Sequence, residues 1–359
     1  MPSEALGSRG WGPYVGLAGC QRILILGGTW FLGRALAAAA VAAGHEVTVF
    51  NRGKSGSTPN GATAVRGDRE SAEDLERLAV SGPWDVVIDP SGQVPATVLA
   101  SARALSEAGR YVFVSSVSAY EGLPIDPLSE TSPLLECPPD AGADFGYTDP
   151  RGYPTQYGFL KSGCERAVTE TYGAQRTLVL RPGVILGPWE YVGRLPWWLG
   201  RIARGGRVLA PGNPEQNIQP VDVRDVAEFA IRAAASGMHG AFNITAPANA
   251  ITFGSFLDAC RRAAGSAAEF VWVDDDFLIS QQVRQWTEIP LWRTFPGTWR
   301  VSGAMAQQAG LTCRPVEQTA EDTWSWLTAG ARAINSDRAA ELGIGEEKEA
   351  AILAAWGER

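Results

Sequence analysis

The sequence predicts an α/β protein whose core is a parallel sheet covered by helices on both faces. Three observations predict it. Short, continuously apolar segments alternate with amphipathic ones through the first half of the chain, the pattern of strands buried on both faces. The earliest strand signal runs directly into a glycine-rich turn and an alanine-rich helix, the opening of a βαβ unit. And 45% of the 359 residues are hydrophobic, which suits one large two-lobed body or two small domains.

Taken in order, Arg22–Leu26 reads as a short strand of branched apolar residues and Phe31–Ala43 as a helix stopped by Gly44. Strands follow at Glu46–Phe50 and Thr63–Val65, a helix at Ser71–Val80, a strand at Trp84–Ile88 and a helix at Val94–Glu107. Tyr111–Ser115 is the next strand. From Glu121 to Gly152 the composition turns to Pro, Asp, Gly and Glu; a loop this long inside a domain is usually functional. Periodicity resumes with a helix over Tyr153–Thr171 and a strand over Thr177–Leu180. A stretch rich in Trp, Gly and Arg runs from Gly187 to Gly212. Val221–Ala235 reads as a helix and Ala241–Ile244 as a strand. Further helices are predicted near Phe253–Ala264, Asp274–Val283, Glu317–Leu327 and, in the tail, Gly345–Trp356.

This order divides the chain into a loose extension (1–20), a sheet domain (21–186 with about 216–246), a smaller lobe (about 187–215 with 247–335) and a tail (336–359). The first twenty residues lack the basic and apolar regions of a signal peptide, and no apolar run reaches membrane-spanning length. A net charge of -8 repels nucleic-acid phosphates in the absence of a basic run. Five scattered cysteines (20, 137, 164, 260 and 313) argue against a disulfide framework and for the cytoplasm. With only His45 and His239, no histidine metal site is expected.

The stretch "ILILGGTWFLG" (Ile23–Gly33) joins a strand to a helix through Gly27, Gly28, Thr29, Trp30, Phe31, Leu32 and Gly33. Free N–H groups and the helix dipole make such a junction an anion site. Gly27 allows the tight turn and Gly33 close packing of helix on strand, which together indicate a Rossmann-type dinucleotide site. Trp30 stands where a middle glycine is usual. The second strand ends in Phe50, Asn51, Arg52, Gly53, Lys54. No carboxylate is there for a ribose 2′-OH, and two cations suit the 2′-phosphate of NADP, so NADP(H) is expected over NAD(H). Asp68 stands either to accept from the adenine amino group or to cap the following helix.

"YPTQYGFLKSGCERAV" carries Tyr157 and Lys161, which share one face of a helix. A phenol is a poor acid–base group at neutral pH unless a nearby ammonium favours the phenolate. The chain has only three lysines, Lys54, Lys161 and Lys348, against eight tyrosines. A Tyr-x-x-x-Lys pair would then arise by chance in roughly one such chain in fifteen. Upstream, "YVFVSS" brings Ser115 and Ser116 to the carboxyl end of a strand, the ligand edge of an open sheet, with Ser118 just beyond; each is a candidate to orient a carbonyl.

In family order, these motifs resemble the extended short-chain dehydrogenase/reductase family, also called the NAD-dependent epimerase/dehydratase family. The resemblance covers about Arg22 to Leu327 and includes "VLRPGVILGP" (Val179–Pro188) and "PVDVRDVA" (Pro220–Ala227). A subgroup with a Gly-Gly-Thr-x-Phe-x-Gly loop and a second strand ending Asn-Arg-Gly-Lys is most similar; it includes chloroplast stem-loop RNA-binding proteins and actinobacterial reductases. The resemblance implies a seven-stranded Rossmann sheet and a smaller lobe closing a substrate cleft. It picks Ser116 among the serines, being four before Tyr120, to hold the reacting oxygen. Tyr157 is implied as acid/base, and Lys161 as the group that binds the nicotinamide ribose and assists Tyr157. It adds Ser91, Val114, Pro182, Gly183 and Val184 to the cofactor surface, and a homodimer through the Tyr157 helix and the Val94–Glu107 helix. The activity implied is NADP(H)-dependent reduction of a carbonyl on a small polar or sugar-like metabolite, with a sugar epimerase as the alternative and an RNA-binding relative further off. Trp189, Tyr191, Trp197, Trp198, Trp286 and Trp292 stand either on the substrate cleft or in the lobe core, and Arg194 and Arg201 either bind an anion or are solvated.

Overall fold

The computed structural model describes residues 19–330 and 337–358; most of the expected N-terminal extension lies outside these. Six strands, β1 (Arg22–Leu26), β2 (Glu46–Asn51), β3 (Thr63–Arg66), β4 (Val86–Asp89), β5 (Arg110–Val114) and β6 (Thr177–Pro182), join Gly240–Ile244 in one seven-stranded sheet. The order across it is Gly240–Ile244, β6, β5, β4, β1, β2, β3, and every pairing is parallel. This is the Rossmann-type doubly wound sheet that the alternating pattern predicts. Strand order reverses between β1 and β4, so the two chains leaving their carboxyl ends part and leave a crevice.

Helices α1 (Phe31–Ala42) and α6 (Val223–Ala235) pack together on one face. There Ile23, Ile25, Leu36, Val49, Val112, Phe229 and Ile231 form one core. Helices α2 (Ala72–Val80), α3 (Pro95–Ala104) and α4 (Gln156–Tyr172) cover the other, over Leu24, Leu26, Val87, Tyr111, Phe113 and Cys164. Alternate residues of β1 thus enter opposite cores, which is why the strand reads as continuously apolar.

A third core makes the smaller lobe. It contains α5 (Arg194–Ala203), α7 (Phe253–Ala263), the helix Val316–Thr328 and a two-stranded parallel ribbon of Arg207–Pro211 with Glu269–Val273. Helix Glu346–Gly357, expected only as part of a tail, inserts Ile352 and Leu353 into this core. Its Glu349 is buried against Arg201, accepting from Nε at 2.7 Å. Arg201 is therefore ion-paired in the lobe interior. Trp198 and Trp292 are completely buried there, and Trp197 packs against Trp198 with ring centroids 4.8 Å apart.

Candidate active site

Every residue expected to bind cofactor or act on substrate lines one cleft of about 1310 Å³ between the sheet's carboxyl edge and the smaller lobe. These are Gly27, Gly28, Thr29, Trp30, Phe31, Leu32, Gly33, Asn51, Arg52, Lys54, Asp68, Ser91, Val114, Ser116, Tyr157, Lys161, Pro182, Gly183 and Val184.

The loop after β1 is built for close approach. Gly27 and Gly28 have φ of 122° and 94°, a region open mainly to glycine. A Cβ on Gly33 would lie 2.7 Å from the Gly28 nitrogen, so the helix start sits directly against the turn. Helix α1 has no side-chain cap and no acid in its first turn; its N-terminal N–H groups remain available to an anion. Trp30, the residue before α1, stacks on Tyr191 with centroids 4.6 Å apart. Its Nε1 is buried with no acceptor among the described residues, as is Asn51 Nδ2. Buried donors of this kind are uncommon and mark a ligand's place or stored strain. A turn that no side chain can fill, open helix N–H groups and two orphaned donors fit a dinucleotide.

At the end of β2, Arg52 and Lys54 are exposed, and Arg52 lies 3.9 Å from the Asp68 carboxylate. Sequence reasoning missed a third cation: Arg66, paired with Asn51 across β2 and β3. Its guanidinium fills the space a Cβ on Gly53 would need. The register of two strands brings it there, and no local motif announces it.

Beneath the crevice, Asp89 is fully buried at the end of β4. It accepts Arg69 Nη2 at 2.7 Å and Tyr111 Oη at 2.9 Å. Burial alone would raise its carboxyl, but the Arg69 charge and hydrogen bonds outweigh that and hold it below its ordinary value. Ser91 donates to the Leu26 carbonyl at 2.7 Å, tying the two parting loops together.

Helix α4 presents the tyrosine. Thr155 caps it by accepting from the Gly158 N–H, so Tyr157 stands in the first turn, 43% exposed to the cleft. Gly158 was not singled out by the sequence, yet a Cβ there would lie 2.2 Å from the Ser118 carbonyl oxygen. Its absence lets α4 rest on the serine loop and brings the Tyr157 turn up to Ser116–Ser118. Ser116 Oγ accepts from the Ser118 N–H at 3.1 Å, whereas Ser115 Oγ is buried without a partner. Lys161 is buried; its Nζ donates to the carbonyls of Gly92 (2.7 Å) and Val114 (2.8 Å). An ammonium carries three N–H bonds, so one remains. One turn further, Glu165 forms a buried pair with Arg181 of β6 (2.6 Å), and Arg181 donates to Tyr120 Oη at 2.9 Å. This network fixes α4 on the sheet.

The opposite wall comes from the lobe. Glu190 is buried, accepts from the backbone N–H groups of Arg194 (3.0 Å) and Leu195 (3.1 Å), and lies 3.6 Å from the Arg194 guanidinium. Burial raises its carboxyl, opposed by Arg194. Tyr153, Tyr191, Trp286, Arg293, Thr298 and Trp299 also line this wall. Of the aromatic residues whose place was open, Tyr191 and Trp286 face the cleft and Trp198 and Trp292 the core. Trp189 lies against Arg34, whose guanidinium carbon is 4.4 Å from the ring, and against Trp326.

The seven-stranded parallel sheet with its smaller lobe is the fold of the short-chain dehydrogenases. The profile of the NAD dependent epimerase/dehydratase family matches residues 23–245, and the chain belongs to that family. It is 26% identical to the chloroplast stem-loop binding protein of 41 kDa b of Arabidopsis thaliana over 268 residues, 70% of this chain and 65% of that protein. It is 29% identical to the 2'-dehydrokanamycin reductase of Streptomyces kanamyceticus over 167 residues, 46% of this chain and 43% of the reductase. The chain thus spans less than two thirds of the length of these two relatives. Among solved structures, the Bordetella bronchiseptica enzyme WbmH in complex with NAD+ superposes with a TM-score of 0.64 at 16% identity, over 87% of this chain and all of that one.

Proposed function

We propose that the protein is an NADP(H)-dependent reductase of a carbonyl on a small polar or sugar-like metabolite. The observation that carries this is the arrangement around α4: a cleft-facing Tyr157, a buried Lys161 with one N–H left over, and Ser116 on the same cleft. The nicotinamide, when bound, supplies the hydride. Tyr157 Oη gives its proton to the carbonyl oxygen as that oxygen gains charge, and Ser116 Oγ donates a hydrogen bond that orients it. The unspent N–H of Lys161 holds the nicotinamide ribose, while the Gly92 and Val114 carbonyls fix the ammonium in place. Arg52 and Lys54, supported by Arg66, receive the adenosine 2′-phosphate. Pro182, Gly183 and Val184 close the nicotinamide end. The family description and the reductase relative support this class; the net charge weighs against the RNA binding that the chloroplast relative's name describes.

NADPH oxidation measured against a panel of ketones and aldehydes tests the reading. Tyr157→Phe is expected to abolish turnover while NADPH affinity, read by calorimetry, stays nearly intact. Wild-type turnover in that variant would assign the proton to another group. The alternative, a sugar epimerase, is favoured by the family's name. It would show as isomerised product with no net NADPH consumption. The scattered cysteines favour the cytoplasm, and the family resemblance favours a homodimer through α3 and α4. Sedimentation of the purified chain checks the dimer. Among the described residues no helix is long and apolar enough to cross a membrane.

A further inference from the structure

The lobe wall of the cleft holds a cation that no described residue neutralises. Arg293 follows the buried Trp292 and lines the cleft. Its guanidinium carbon lies 4.8 Å from the Trp286 ring centroid and 5.9 Å from that of Phe295. Among the described residues it has no side-chain hydrogen bond and no carboxylate partner. Burial dominates its environment and works against the charge; the ionisable neighbours that act on it are Tyr153 and Arg194. Arg293 is half-buried, and withdrawing a guanidinium from water without a counter-charge is costly.

Three independent features point the same way. Thr298 Oγ1 and Trp299 Nε1, both on cleft-lining residues, are buried with no hydrogen-bond partner among the described residues, and Trp299 is only 7% exposed. Trp286, 6.0 Å from Trp299 ring to ring, adopts a φ of 71°. That backbone state is strained for a bulky residue and is retained mostly at functional sites. The loop is held in that shape from behind: Gln285 Nε2 donates to Thr294 Oγ1 at 2.8 Å, and the Thr294 N–H donates back to Gln285 Oε1 at 3.0 Å.

We propose that Arg293, with Thr298 and Trp299, is the subsite for a single carboxylate on the substrate, at a distance from the carbonyl that is reduced. This rests on the reductase reading and names its substrate class: an oxo acid whose body lies on Trp286 and Trp299. Charge count selects a carboxylate over a diphosphate. Arg194, the other cation near Trp286 (5.3 Å), already faces buried Glu190, so one positive charge is left and one negative charge balances it. Chain geometry limits the reach. Tyr153, edge-on to Phe295 at 4.8 Å, is four residues from Tyr157, and four residues span at most about 14 Å. Arg293 and Tyr157 line the same cleft, so the carboxylate and the reacting carbonyl belong to one molecule that lies along it.

The test uses the full chain with simple probes. Benzoate, benzamide, phenyl phosphate and uridine diphosphate are titrated by calorimetry and by quenching of tryptophan fluorescence. Benzoate is expected to bind roughly ten- to a hundredfold more tightly than benzamide, the range of a charge-assisted contact, and more tightly than either phosphate. Arg293→Gln should erase the difference between acid and amide, and Arg293→Lys should restore part of it. Because the wild-type cation is unpaired, Arg293→Gln should melt no lower than wild type, and benzoate should raise the melting temperature of wild type alone. Equal binding of benzoate and benzamide, or a Gln variant that keeps the preference, overturns the proposal. Tightest binding by uridine diphosphate overturns it too, in favour of a nucleotide site. NADPH binding and oxidation on the same samples separate failure of this subsite from failure of the reductase reading.

Discussion

Trp30→Phe removes one N–H and leaves an aromatic ring in the phosphate-binding turn. In the structure that N–H is buried and has no acceptor among the described residues, at a cost of about 1–3 kcal/mol to the free protein. If a pyrophosphate oxygen accepts it, the contact is charge-assisted and worth about 1.5–3 kcal/mol, or roughly ten- to a hundredfold in NADPH affinity. Free-protein stability and cofactor affinity should therefore part company. Relief of the orphaned donor offsets the packing lost with the smaller ring, so the melting temperature without cofactor should hold near the wild-type value. The dissociation constant for NADPH, from calorimetry at fixed ionic strength, should rise. Trp30→Ala also discards the stacking with Tyr191, about 0.5–1.5 kcal/mol, and should lower both. An unchanged NADPH affinity in Trp30→Phe would refute the reasoning. Binding gained in Trp30→Gly over a wild type that binds nothing would show the indole occupying the phosphate position.

Arg52→Asp should reverse or erase a preference for NADPH over NADH, at about 1–3 kcal/mol for one charged contact; paired titrations of both reduced cofactors decide it, and tighter NADH binding by wild type ends the NADP assignment. Gly158→Ala drives a methyl to 2.2 Å from the Ser118 carbonyl; α4 must shift, kcat should fall more than NADPH affinity, and overpacking should cost about 1–3 kcal/mol in denaturant unfolding. Asp89→Asn takes the counter-charge from part-buried Arg69 and should cost about 3–5 kcal/mol. Because the folded Asp89 carboxyl is held below its ordinary value, its contribution is complete above about pH 4 and is lost as pH falls through the folded value. Acid unfolding of wild type should show this loss, and the variant should show a shallower dependence there.

The sheet domain was legible because its signals are local. Continuous apolar strands, the glycine turn and the Tyr157–Lys161 spacing each lie within a few residues, and all come together on one cleft. The lobe was not, because its contacts are distant. Helix α5 went unread: it begins after Gly193 in a left-handed conformation (φ 84°) with no cap from that residue. Glu190 supplies the cap from outside the helix, and Pro196 in the first turn was the signal available. The ribbon of Arg207–Pro211 with Glu269–Val273 joins segments about sixty residues apart, and only the second half of such a pair reveals the first. Arg293 carries no motif at all; its interest lies in the absence of a partner, which only three dimensions disclose.

The burial of Glu349 against Arg201 sets an order of events during synthesis. All seven sheet strands precede residue 245 and can pair as they emerge. The smaller lobe lacks Ile352, Leu353 and the counter-charge of Arg201 until the last of these residues is free. For that interval Arg201 keeps its bonds to the Gly205 and Arg207 carbonyls but has no counter-charge, and a groove lined by lobe core residues stays open to solvent, so the sheet side of the cleft can exist before the lobe side. In a nascent chain the sheet edge with its glycine turn is thus complete while the wall that closes over it still waits for the last helix.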